Sequence, residues 1–173
     1  PAVTLASEIR PDLYDFLREA GVPMKRPREH YGLSIVLGGA EASAEDLARL
    51  YGTLGNGGLL RPLVRLPDEE PAAARQMLSP ESAWIVRRML AEGGEALKVE
   101  GVSVPLLWKT GTSNGFRDAW TAGYAGRYII VVWLGNFNGR PDPWLQGALV
   151  AQPVFRSAAV RLLTDREFAM SAQ

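Results

Sequence analysis

The segment Trp108-Lys109-Thr110-Gly111-Thr112-Ser113 brings a cation, several hydroxyls and a residue without a side chain onto one short β-prone stretch that runs into a polar turn. In an extended chain, alternate residues face opposite ways, so Lys109 and Gly111 share one face and Thr110 and Thr112 the other. A bare glycine lets another backbone approach closely, and an extended peptide can then lie beside the strand and pair with its main chain. Lys109 can lower the cost of a carboxylate or a developing oxyanion. The threonine hydroxyls can bond to carboxylate oxygens, and a backbone N–H can point at an acyl oxygen. These parts suit acyl transfer, although Lys-Thr-Gly-Thr taken alone also fits a solvated strand end. A phosphate loop does not fit, because its Gly-x-x-x-x-Gly-Lys order places glycine before lysine and here the lysine comes first.

The remaining composition narrows the chemistry further. The chain has no cysteine, which excludes disulfides, thiol nucleophiles and thiolate zinc sites. His30 is the only histidine, so a histidine-dependent triad or a multi-histidine metal site has one position to build on; it reads as a loop residue. No metal and no cofactor is expected. Nineteen basic residues balance nineteen acidic ones, so no net field draws the chain to nucleic acid or to anionic lipid. The most apolar run, Tyr128 to Leu134, falls far short of the roughly 20 residues that span a bilayer.

The elements that must hold the Lys109 segment are read from periodicity and punctuation. Residues 2 to 9 suit a helical turn or two. Pro11 to Gly21 predicts a helix, with Leu13, Phe16, Leu17 and Ala20 at helical spacing, Pro11 in its first turn and Gly21 as its stop. Leu33 to Gly39 is too short to divide strand from buried loop. Ser43-Ala44-Glu45-Asp46 supplies an N-cap with acidic residues in the first turn, followed by the stripe Leu47, Leu50, Tyr51, Leu54 and the stop Asn56-Gly57-Gly58. Leu59 to Leu66 reads as short strands. Ser79 and Pro80 open another helix, with Ile85, Val86, Met89 and Leu90 on its buried face, ending at Gly93-Gly94. Strands follow over Ser103 to Thr112, Ala119 to Tyr124 and Arg127 to Leu134, and short connections make them antiparallel neighbours. A last helix, kinked at or started by Pro153, carries Val150, Val154, Phe155, Ala158, Leu162 and Leu163. The order predicts an α+β domain, an antiparallel sheet with flanking helices, with no internal repeat or dividing linker.

The longer context of the motif is more specific than the tetrapeptide. Lys109-Thr110-Gly111-Thr112-Ser113-Asn114-Gly115-Phe116-Arg117-Asp118-Ala119-Trp120 resembles the third motif of the class A, bifunctional penicillin-binding proteins. Leu37-Gly38-Gly39 through Asn56-Gly57-Gly58 is similar to that family's Leu-Gly-Gly … Ala-Asn-Gly-Gly helix. Gly123-Tyr124, Val132-Trp133-Leu134-Gly135-Asn136 and Ala151-Gln152-Pro153-Val154-Phe155 resemble its next strands and last helix. The Gly-Phe-Arg-Asp-Ala-Trp wording is nearest to the family's 1C branch. The resemblance implies part of the penicillin-binding and β-lactamase-like transpeptidase fold. It also implies a serine D,D-transpeptidase that cross-links peptidoglycan stem peptides, is acylated by β-lactams, and works at the periplasmic face of the bacterial inner membrane in a parent with a glycosyltransferase domain. Carried over, Lys109 assists electrostatically, Thr110 and Thr112 hold the substrate carboxylate with Gly111 and Ser113 beside them, and the Thr112 N–H joins the oxyanion hole.

The family also needs a Ser-x-x-Lys nucleophile and a Ser-x-Asn motif. No serine here has a lysine three positions on, and Ser113-Asn114 lacks the intervening residue. Pro1-Ala2-Val3 resembles the residues directly after Ser-x-Asn in the family, so residues 1–173 read as the C-terminal portion of one transpeptidase domain, inactive alone and partnered by the upstream portion. Competing readings are a non-catalytic peptide- or peptidoglycan-binding module with the same fold, and an unrelated α+β domain with a chance motif. Trp84, Trp120 and Trp133 read as core or sheet packing. Trp108 and Trp144 are candidates for the border of a groove, and Asp118 reads as a structural hydrogen-bonding or charge partner.

Overall fold

The β-branched and aromatic residues in the second half of the chain pair into a sheet, and the computed structural model describes residues 1–66, 68–70, 72–91 and 95–165. Strands β3 (Ala96–Val99), β4 (Val102–Thr112), β5 (Asp118–Ala125) and β6 (Tyr128–Gly135) form an antiparallel meander in that spatial order. Register runs from Leu106 opposite Ala125 to Thr112 opposite Ala119, and from Asp118 opposite Gly135 to Ala125 opposite Tyr128. Residues opposite each other share a face, so one face carries Leu107, Lys109 and Gly111 with Trp120, Ala122 and Tyr124. The other carries Leu106, Trp108, Thr110 and Thr112. Strand β3, which pairs with Val102 to Pro105, is not among the strands that the sequence pattern predicts; its register brings Leu97 opposite Val104.

Each face is covered by a helix whose sequence suits it. Helix α6 (Gln152–Thr164) follows one π-helical turn, Gly147–Ala151, and has Pro153 in its first turn, where a missing N–H costs nothing. Phe155 and Ala159 of α6 are buried with Leu106, Ala125 and Ile130 as the core, and Trp108, Val132 and Leu162 pack against it. Val154, one of the apolar residues of this helix, is exposed. Helix α4 (Ala44–Gly55) lies on the opposite face. Its Ser43 hydroxyl accepts from the Asp46 N–H at 3.1 Å, while Asp46 accepts from the Ser43 N–H at 3.0 Å and pairs with Arg49 at 2.8 Å. That reciprocal capping box satisfies amides that the first turn leaves open. Glycines let α4 approach closely: a Cβ on Gly55 would stand 3.2 Å from the Tyr124 ring, and one on Gly52 3.7 Å from Ile129.

The first third of the chain is a series of short helical pieces, α1 (Ala2–Glu8), α2 (Leu13–Glu19) and α3 (Arg28–Tyr31), then a 3-10 segment over Gly32–Leu37. Pro11 does not enter the first turn of α2. It precedes Asp12, whose side chain caps the helix by accepting from the Asp15 N–H at 3.0 Å. Asp12 also pairs with Arg28, which reaches Asp15 at 2.6 Å and so ties α3 to α2. His30 sits in α3 rather than in a loop, edge-on to Tyr31. The undecided stretch after Tyr31 is 3-10 helix, not strand, and Leu37 at its end is exposed.

Leu59 to Leu66 contributes only the two-residue β1 (Leu59–Leu60), paired with β2 (Arg75–Gln76). Helix α5 (Pro80–Leu90) starts as expected from the Ser79 cap, but its apolar face is not buried. Ala83 at 1% exposure is its contact side, whereas Trp84 and Met89 are each 62% exposed and Ile85 and Val86 are exposed too. The apolar spacing gives the period of the helix, but which side is covered depends on neighbours. Helix α4 and strand β4 are the neighbours of α5, and Ala83 and Arg87 lie on the side that meets the rest of the fold. The expected stop at Gly93-Gly94 lies outside the described residues. No helix among the described residues is long and apolar enough to cross a membrane.

Candidate active site on the edge of β4

Beyond Pro105, strand β4 has β5 on one side and no strand on the other among the described residues. Its outer edge from Leu107 to Thr112 is therefore an open margin with no strand partner among the described residues, the arrangement to which a peptide adds as a further strand. Lys109 and Gly111 share the face of α4, as alternation predicts. The Lys109 ammonium is exposed and donates to the Thr110 carbonyl at 2.7 Å. Gly111 is not smothered: among the described residues, a Cβ there would meet the Trp120 Cβ at an ordinary 3.5 Å. On the other face, the Thr112 hydroxyl oxygen accepts from the Gly147 N–H at 3.0 Å. With one lone pair engaged, that hydroxyl keeps its proton to donate outward.

Ser113 ends the strand and builds the turn. Its Oγ accepts from the Asp118 N–H at 2.8 Å and the Arg117 N–H at 3.2 Å, and its N–H donates to the Asp118 carbonyl at 2.9 Å. The turn carries Gly115 and Phe116, both at positive φ, 77° and 54°. Among the described residues no group of three or more His, Cys, Asp or Glu side chains could hold a metal ion.

No family model matches the chain. Over 151 residues, 86% of the chain, it is 38% identical to penicillin-binding protein 1C of Escherichia coli (strain K12), of which it covers 20%. It is 30% identical over 137 residues to penicillin-binding protein 1B of Vibrio cholerae, covering 70% of this chain and 18% of that protein. Over 166 residues it is 26% identical to penicillin-binding protein 1A of Clostridium botulinum (strain Langeland / NCTC 10281 / Type F), covering 87% and 19%. This chain belongs to the class A penicillin-binding proteins. It spans about a fifth of the length of the curated relatives it matches.

Within this penicillin-binding protein chain the sequence-expected residues Lys109, Thr110, Gly111, Thr112 and Ser113 are consecutive on one strand end, so the fold brings them together by default. What the sequence did not single out is Gly147. A Cβ on it would stand 2.4 Å from the Gly111 carbonyl oxygen and 2.6 Å from that of Trp120, so only glycine lets the π-helical turn rest on β4 and β5. The available signal was a glycine just ahead of the closing helix. Trp108 does not border the edge; it packs against Phe155, 5.9 Å between ring centres, on the α6 face. Asp118 accepts from Trp133 Nε1 at 2.9 Å, a structural bond as expected.

On the face that carries Lys109, the penicillin-binding protein sheet packs Tyr124 of β5 against Tyr51 of α4, with ring centres 5.6 Å apart. The Tyr124 hydroxyl donates to the Tyr51 carbonyl, and the Arg87 guanidinium lies 5.3 Å from the Tyr124 ring centre. Burial pushes the Tyr51 phenol up to about 12 and moves that of Tyr124 upward as well, so both are neutral at ordinary pH and serve as scaffold.

Proposed function

We propose that this chain supplies one wall of the acyl-transfer site of a serine D,D-transpeptidase that cross-links peptidoglycan stem peptides and is acylated by β-lactams. The observation that carries this reading is the open margin of β4, with Lys109, Thr110, Gly111 and Thr112 along it. A stem peptide ending in D-Ala-D-Ala lies along that margin. The nucleophilic serine comes from a Ser-x-x-Lys segment upstream of these residues. Its oxygen bonds to the penultimate carbonyl carbon, the terminal D-Ala leaves with a proton, and the amine of a second stem peptide then takes the acyl group and frees the serine. Lys109 offsets negative charge at the site. Thr110 and Thr112 hydroxyls donate to the terminal carboxylate, Gly111 and Ser113 flank it, and the Thr112 N–H donates to the oxyanion.

Residues 1–173 are then the C-terminal portion of one transpeptidase domain, without its Ser-x-x-Lys and Ser-x-Asn motifs, and inactive alone because an oxyanion donor without a nucleophile leaves little rate. The parent is anchored at the periplasmic face of the bacterial inner membrane and carries a glycosyltransferase domain. The test is intact mass after incubation with a labelled β-lactam, first on the 173-residue chain and then with the upstream portion restored. An adduct only in the second case is expected. An adduct on the chain alone contradicts the assignment of roles, and no adduct on a folded, restored domain favours a non-catalytic peptidoglycan-binding module.

A further inference from the structure

Helix α5 has the apolar content of a buried helix and the surroundings of an exposed one. Ala83 and Arg87 face the rest of the fold, while Trp84 and Met89 are each 62% exposed and Ile85 is 51% exposed. Ile85 and Met89 are four residues apart and stand one above the other on the side that meets water. Trp84 and Arg88, also four apart, run beside them, with the Arg88 guanidinium 5.8 Å from the Trp84 ring centre. Aromatic residues, methionine and arginine are the types that protein contact surfaces favour, and neighbouring apolar side chains left in water mark such a contact.

The place of α5 in the fold says what covers it. The helix rests on α4 and on β4. Its Arg87 guanidinium lies 5.3 Å from the centre of the Tyr124 ring, and Tyr124 is opposite Leu107 in the pairing of β4 with β5. Leu107 is the first residue of the β4 margin that has no strand partner among the described residues, so α5 stands where that margin begins, on the face that carries Lys109. A polypeptide packed on the apolar side of α5 therefore adjoins the margin.

We infer that the apolar side of α5, made by Trp84, Ile85 and Met89 with Arg88, is the surface on which the upstream portion of the polypeptide packs, and that this contact holds the upstream portion against the β4 margin. The inference rests on the function proposed above, in which a nucleophile has to reach Lys109 from upstream. The chain covers 20% and 18% of the penicillin-binding proteins 1C and 1B that it matches, so about four fifths of their length has no counterpart in it and is ample to supply the covering segment. A second copy of this chain fits less well. Symmetric pairing of two α5 helices would bring the Arg88 guanidinium of one copy toward that of the other, and the like charges repel.

The absence of cysteine from the chain makes a clean probe of this surface. The Met89→Cys variant is labelled with N-ethylmaleimide, both in the 173-residue chain and in the domain restored with its upstream portion as one polypeptide. The modified peptide is read by mass, and each rate is divided by the rate in denaturant. Labelling close to the denatured rate is expected in the chain alone, and labelling slower by about a hundredfold or more in the restored domain. As a second measurement, Ile85→Gln and Met89→Gln combined should leave the melting temperature of the chain in place and lower that of the restored domain by about 5 °C or more. Equal labelling in the two polypeptides, or equal shifts in melting temperature, overturns the inference. Protection in the chain alone that grows with its concentration also overturns it and puts a second copy on α5. Because labelling uses no β-lactam, an adduct on the restored domain without protection at Met89→Cys sinks this inference alone, whereas protection without an adduct sinks only the transpeptidase reading.

Discussion

Gly147 approaches Gly111 so closely that the N–H of the first reaches the hydroxyl of the next residue, Thr112, at 3.0 Å, with no room left for a Cβ. The turn that leads into α6 thereby clamps the end of the strand on which the candidate site lies, and the clamp is made of backbone, which cannot give way as a flexible side chain can. Gly147→Ala is expected to destabilise the chain by about 2–3 kcal/mol, since the added methyl must displace main chain. Denaturant melts measure this, and a loss below about 0.5 kcal/mol would mean the turn moves freely.

Lys109 is exposed and, among the described residues, its ammonium bonds to the adjacent Thr110 carbonyl, so Lys109→Ala should change stability by no more than about 0.5 kcal/mol. In the domain restored with its upstream portion, the same substitution should slow β-lactam acylation by about a hundredfold or more, the scale of removing one electrostatic donor. Stopped-flow acylation on the restored domain separates the two effects; an unchanged rate removes Lys109 from the proposed machinery.

The capping box of α4 predicts that Ser43→Ala costs about 1 kcal/mol, because the Asp46 N–H loses its acceptor. Asp46→Ala should cost more, since Asp46 also receives the Ser43 amide and the Arg49 guanidinium. Equal losses in urea melts would contradict that ranking.

Alkaline pH should weaken the fold through the Tyr51–Tyr124 pair between α4 and β5. An unfolded tyrosine loses its proton near pH 10, whereas burial holds Tyr51 protonated up to about 12. Between those values the folded chain binds more protons than the unfolded one, so stability is full below pH 10 and falls as the pH rises through the window. Tyr51→Phe should flatten that fall, seen by comparing urea midpoints at pH 9 and pH 11.

On α5, Ile85→Gln and Met89→Gln should each change stability by no more than about 0.5 kcal/mol, because both side chains face water. Phe155→Ala, which empties the centre of the α6 contact, should cost about 3–5 kcal/mol. Melting temperatures of these variants distinguish an exposed apolar face from a buried one.

Much of the candidate site was legible because it is local. Lys109 to Ser113 are consecutive, and the two-residue period of a strand divides Lys109 and Gly111 from the threonines without any tertiary information. Helix α4 was legible for a similar reason: its start depends on Ser43 and Asp46, three residues apart. Strand β3 escaped because a four-residue piece such as Ala96–Val99 carries too short a pattern to declare itself before its partner is known.

Local chemistry thus determined the α+β order, the α4 cap and the composition of the β4 edge, since each depends on residues within a turn or a strand of one another. Tertiary packing alone decided that Gly147 presses on Gly111 from 36 positions away along the chain, that Trp108 faces α6 rather than the margin, and that the apolar side of α5 meets water. Burial depends on which neighbour arrives at a surface, and a side chain's own pattern states only that it would accept one.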